Sequence, residues 1–185
     1  MLISKFNTDV PNLSDMIESE YSISLPDEYK LFLNKYNGGY TPKTKFKIGR
    51  ISSDIKGFYG VGNVKLSLSN LNVKDWVDVG LFPIACDSFG NCITISLDPR
   101  KKGDILFCDH EMGGKTTHLC DGFNTFIKSC KSSIINDASR RSIKEREDDL
   151  IRRGKGDRIT DGLRKMWQDE IDKYSGMIQE EVILT

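Results

Sequence analysis

An α+β fold is what this chain predicts, and three observations carry the expectation. Two helical patterns come first, a run of short apolar segments split by turn residues follows, and a helical pattern closes the globular stretch. Residues 11–20 place Leu13 and Ile17 on one side, with Met16 at the margin of that face. The second helix is plainer. In "LPDEYKLFLNKYNGGYTP" Pro26 suits a first turn, where its missing N–H costs nothing, and Ser24 precedes Asp27 by three residues in a capping pattern. Tyr29, Phe32, Leu33 and Tyr36 then fall at i, i+3, i+4 and i+7, one buried stripe. Asn37 and Gly38 can take the left-handed conformation that ends a helix, and Gly39 permits a second unusual backbone angle. One Gly would suffice as a cap. Two of them, followed by Tyr40 and Pro42, predict a tight corner packed against another element.

The strands follow. "KFKIGRI" sets Phe46 and Ile48 against lysines and reads as a half-exposed strand, and "GFYGVG" as another with glycines at its bends. Residues 63–79 fit no single period, because Val64, Leu66, Leu68, Leu71 and Trp76 satisfy neither template. Leu81 to Ala85 and Cys92 to Leu97 are apolar strands joined by the turn Asp87-Ser88-Phe89-Gly90-Asn91. "DPRKKGD" supplies a further turn and "ILFCD" a further strand, while "DGFNTFIKSC" gathers Phe123, Phe126, Ile127 and Cys130 on one helical face.

In that order and approximate spacing, "LPDEYKLFLNKYNGG", "GFYGVGN", "FPIACDSFGNCITISLD" and "GDILFCDHE" resemble the SUKH superfamily, which includes the yeast Smi/Knr cell-wall regulators. The resemblance spans roughly residues 10–131. It implies one mixed, largely antiparallel sheet flanked by helices. It also implies that Pro26, Asn37, Gly38, Gly39, Gly90 and Asn91 are structural signatures, with the Asn-Gly-Gly corner joining helix to sheet. Bacterial members are mostly immunity proteins that bind and neutralise a cognate polymorphic toxin.

Bulk properties narrow the classes. The chain has 185 residues, zero net charge and pI about 6.7, so no global field recruits nucleic acid or an acidic membrane. Its start lacks the basic-then-apolar order of a secretory signal, and no apolar run approaches a membrane span. Five cysteines, an odd number, read as reduced thiols, so a soluble cytoplasmic protein is expected.

Several constellations could carry chemistry. In "CDHEMGGKTTHLC", a hairpin centred near Gly114 would oppose His110 to His118 and Cys108 to Cys120, a possible tetrahedral zinc set. The spacing lacks a CxxC knuckle and the family pattern does not supply these ligands, so a core face is preferred and no metal is expected. Cys86 and Cys108 read as buried strand thiols rather than nucleophiles. Asp87, Asp109 and Glu111 resemble an acidic cluster at strand ends, but Asp at such places usually serves the turn itself. "GFYGVGN" lacks the Lys-Ser/Thr of a phosphate loop, and "PRKKG" is too small for a nucleic-acid footprint. No cofactor is expected.

Composition shifts near residue 133. All nine Phe, five Cys and five Pro precede residue 132, whereas residues 134–185 hold 11 basic and 12 acidic residues, so we divide the chain into a globular domain, 1–133, and a charged helical extension, 134–185. Within it Ile159, Leu163, Trp167, Ile171, Tyr174 and Ile178 form a stripe expected to pack on the globular part, or else to form a homodimer. The leading expectation is thus a non-enzymatic immunity protein that occludes the active site of a toxin, a nuclease or another nucleic-acid-modifying enzyme. Its partner-binding residues would be Tyr40, Asp87, Asp109 and Glu111, with no direct contact to nucleic acid or membrane. A regulatory or scaffold module of the Smi/Knr type is the alternative, and a metal-dependent enzyme centred on His110 the third.

Overall fold

The computed structural model describes residues 1–6 and 10–184. They form two compact units, the described residues up to 133 together with 179–184, and residues 134–178. The first is α+β. Its strands are β1 (Leu2–Lys5), β2 (Gly39–Ile48), β3 (Ile51–Phe58), β4 (Leu81–Cys86), β5 (Cys92–Ser96), β6 (Ile105–Asp109), β7 (Lys115–Cys120), β8 (Lys131–Ser132) and β9 (Glu180–Glu181). All their pairings are antiparallel, in the order β7-β6-β5-β4-β3-β2-β1-β9, with β8 on β2. Helices α1 (Leu13–Tyr21), α2 (Asp27–Tyr36), α3 (Val73–Asp78) and α4 (Phe123–Ser129) complete it.

The stripe of α2 is the heart of the core. Tyr29, Phe32, Leu33 and Tyr36 are all buried, as the spacing requires. Phe32 meets Phe58 of β3 and Phe123 of α4 with ring centroids 5.0 Å apart in both cases, and Tyr29 meets Phe123 edge-on at 5.2 Å. Such tilted and edge-on pairs add about 0.5–1.5 kcal/mol each beyond area burial.

Three details differ from expectation, each for a local reason. "KFKIGRI" is not one strand: Ile48 pairs with Ile51, and Gly49, at φ +58°, turns the chain back into β3. A hairpin turn of two residues needs that left-handed geometry, which Gly supplies without strain. Residues 63–79 fit no period because they hold only a short 3-10 turn, Leu68–Asn70, and the six-residue α3. The last residues return to the sheet: β9 pairs with β1, and the Ile183 N–H donates to the Tyr36 hydroxyl at 2.9 Å.

The second unit is built from α5 (Ile143–Arg152) and α6 (Asp161–Tyr174). A capping box between Ser142 and Glu145 starts α5, and Thr160 caps α6. Arg146 joins them. Its guanidinium pairs with Glu170 at 2.8 Å and lies 5.9 Å from the Trp167 ring centroid. Of the apolar stripe only Tyr174 is buried; Leu163, Trp167 and Ile171 are half-buried, and Ile178, beyond the helix, is 77% exposed.

Candidate functional site

The turns Ser88–Phe89–Gly90 and His110–Gly114 lie at the same end of the sheet, because β4/β5 and β6/β7 are successive antiparallel hairpins. Asp87 organises the first turn. One carboxylate oxygen accepts from the N–H groups of Phe89 and Asn91 at 2.9 and 2.8 Å, and the other from Ser53 Oγ and Asn91 Nδ2 at 2.7 Å each. The residue is 2% exposed, so its oxygens serve the turn rather than the surface. Asn91 passes the order on: its Oδ1 accepts from the His110 N–H and lies 3.0 Å from His110 Nδ1. Gly90, at φ +93°, stands beside that imidazole, where a Cβ would come within 3.6 Å.

Asp109 repeats the pattern one hairpin along, accepting from the N–H groups of Glu111 and Met112 at 3.0 and 3.3 Å. Glu111 itself is exposed. The structure therefore gathers Asp87, Asp109 and Glu111 at one end of the sheet, two of them as turn anchors. Tyr40 stands apart on β2, opposite Gly57, which in turn pairs with Cys86; its ring meets Phe6 edge-on at 5.3 Å, and burial raises its hydroxyl pKa. Sequence reading overlooked two side chains at this end. Phe89 is 70% exposed and Met112 60% exposed, each at the tip of a turn held by an aspartate. The signal was present: a Phe where "DSFGN" calls for a polar residue.

The Asn-Gly-Gly corner is a docking joint between α2 and the sheet. Asn37, at φ +49°, is fully buried; its side chain accepts from the Val61 N–H at 2.7 Å and donates to the Val61 carbonyl at 3.0 Å. Gly38, at φ +72°, lies so close to the next segment that a Cβ would meet the Tyr59 carbonyl oxygen at 2.5 Å. Gly39, at φ +146°, is pressed equally against Ser4. Pro26 sits just before the first turn of α2, with Gly103 packed against its ring.

The hairpin that suggested a zinc set has another register. Cys108 faces Thr116, Leu106 faces His118, and Ile105 faces Cys120, so His110 and His118 are not cross-strand partners. The turn centres nearer Met112, where Asp109 opposes Lys115, and that shift separates the four residues. His118 lies between two carboxylates instead, 3.4 Å from Asp104 and 3.0 Å from Asp121. Among the described residues these three form the one group of His, Cys, Asp or Glu whose donor atoms, all within 4.8 Å, suit a cation, and exposed acidic groups of this kind are common without one. Burial raises the pKa of every cysteine, Cys120 to about 11 and Cys130 to about 12, which favours the thiol over the nucleophilic thiolate. No described helix is long and apolar enough to cross a membrane.

A family model described as SMI1-KNR4 cell-wall, SUKH_6, matches residues 13–127. A curated relative, the SPbeta prophage-derived uncharacterized protein YokK of Bacillus subtilis (strain 168), is 28% identical over 156 residues, covering 73% of this chain and 78% of its own. No solved structure matches.

Proposed function

The chain belongs to the SUKH family, and from that premise we propose that it is an immunity protein, which binds one toxin and blocks it by occlusion rather than by chemistry. The observation that carries this reading is the braced end of the sheet. Phe89 and Met112 project from turns fixed by Asp87, Asn91 and Asp109, so two apolar anchors are held in place before any partner arrives. Pre-organisation of this kind lowers the ordering cost of association, and aromatic anchors supply much of the energy of protein interfaces. Glu111 adds an exposed negative charge beside them, suited to the basic cleft of an enzyme that handles nucleic acid. Tyr40 and Asp109 would flank or support that contact, and Asp87 would shape it from beneath. The protonated thiols of the core fit a binding protein better than a cysteine enzyme.

Co-expression tests the reading. A toxin domain found encoded beside this chain's gene should arrest growth of a host alone, and this chain should restore growth while Phe89→Asp fails to do so. Arrest that persists with the wild-type chain present would remove the proposal.

A further inference from the structure

A second exposed surface adjoins the braced end, and it is rich in lysine. Residues 39–58, the β2–β3 hairpin, hold five basic residues and one acidic residue in a chain whose total charge is zero. The strand register sorts several of them onto one face. Lys131 of β8 and Asp54 of β3 are both cross-strand partners of Lys45, so the three stand in a row. Lys47 and Lys56 lie two residues along from Lys45 and Asp54, and side chains two apart on a strand share a face. Lys45, Lys47, Lys56 and Lys131 are all exposed.

The single acid in the row forms no ion pair with the lysines among the described residues. Asp54 turns both oxygens to Ser88, accepting from its N–H at 3.0 Å and from its hydroxyl. No carboxylate lies within ion-pair distance of any of these four lysines among the described residues. The same bond ties the lysine face to the turn that carries Phe89, so the two surfaces are continuous.

We propose that this face docks an acidic protein segment, forming the second half of the toxin-binding surface; the assignment to a toxin rests on the reading above. The lysines form a block three strands wide, on β8, β2 and β3, rather than a track. Cross-strand neighbours stand about 5 Å apart and i, i+2 neighbours about 7 Å, spacings that carboxylates on one helix face or one strand can match. A nucleic-acid backbone would find four lysines on this face, with Tyr40 engaged edge-on by Phe6 and the exposed Phe89 ring on the adjoining turn rather than among them. Four phosphate contacts give weak, strongly salt-dependent binding.

Fluorescence anisotropy of the full chain with labelled poly-L-glutamate, and separately with a single-stranded DNA oligonucleotide of equal charge, tests the assignment. Poly-L-glutamate should bind more tightly than the DNA and weaken as salt rises. Replacing Lys45, Lys47 and Lys131 by Gln should lower its affinity by about tenfold or more, as expected when several charge contacts are lost. The same three positions changed to Arg should retain binding, which guards against a loss caused by misfolding, and Lys101→Gln should change nothing. Unchanged affinity in the triple Gln variant overturns the proposal, as does failure of the wild-type chain to bind poly-L-glutamate. Tighter binding of DNA, lost in the same variant, would make nucleic acid the occupant instead. None of these results depends on growth rescue by the toxin partner, so the two readings fail separately.

Discussion

Gly38 shows how much one residue decides. Its φ of +72° is strained for any side chain, and a Cβ there would strike the Tyr59 backbone, which cannot swing aside as a flexible side chain would. Gly38→Val should therefore cost at least about 2 kcal/mol of stability, read as a lower denaturant midpoint. An unchanged midpoint would show that the corner yields. Tyr29 makes the opposite case. Its ring is central to the aromatic core, yet its buried hydroxyl has no hydrogen-bond partner among the described residues. Tyr29→Phe keeps the ring contacts and removes the stranded polar group, so stability should rise by about 1 kcal/mol. A loss of that size would reveal a partner for the hydroxyl. The Gly-Gly doublet was legible because glycine signals backbone geometry directly. The orphaned hydroxyl was not, because a helical stripe shows that Tyr29 is buried without showing what its oxygen meets.

Among the elements, α2 and the β4–β5 hairpin could be read from sequence because their own residues supply the period and the turn. β1 and β9 could not: four residues and two residues carry no period, and each exists through its partner strand. The register of β6 with β7 was misplaced for a related reason, since a glycine pair marks a turn without fixing its centre. The return of β9 makes a clear prediction. Gln179 Nε2 donates to the Ser133 carbonyl at 3.2 Å, so the chain leaves and re-enters the first unit at neighbouring points. Replacing residues 134–178 by a short Gly-Ser linker should leave a cooperatively folding unit, since closing a short loop costs little. Deleting residues 134–185 also removes β9 and the hydrogen bond from Ile183 to Tyr36. That truncation should melt lower than the linker variant and aggregate through the uncovered β1 edge. Equal melting temperatures would mean that β9 contributes nothing.

At the scale of the whole molecule, the SUKH framework presents two adjoining surfaces of different character. One is a pair of apolar tips with an acidic neighbour, fixed by aspartate-anchored turns; the other is a lysine face one strand pair away. The turn aspartates were visible in sequence, and so was their service to the turn. Phe89 left a signal in its turn, whereas Met112 and the lysine face left none, because exposure and strand register are set by the sheet as a whole. Surfaces so arranged suit a partner that must be recognised closely and released slowly, and protection against a toxin requires that. The most direct measurement is a calorimetric titration of the purified chain into the proposed toxin partner, sought among domains encoded beside its gene. One-to-one binding at nanomolar affinity, about −12 kcal/mol, is predicted, weakened at least about tenfold by Phe89→Ala with the fold intact. No detectable heat at micromolar concentrations, or an affinity indifferent to Phe89, would contradict the account.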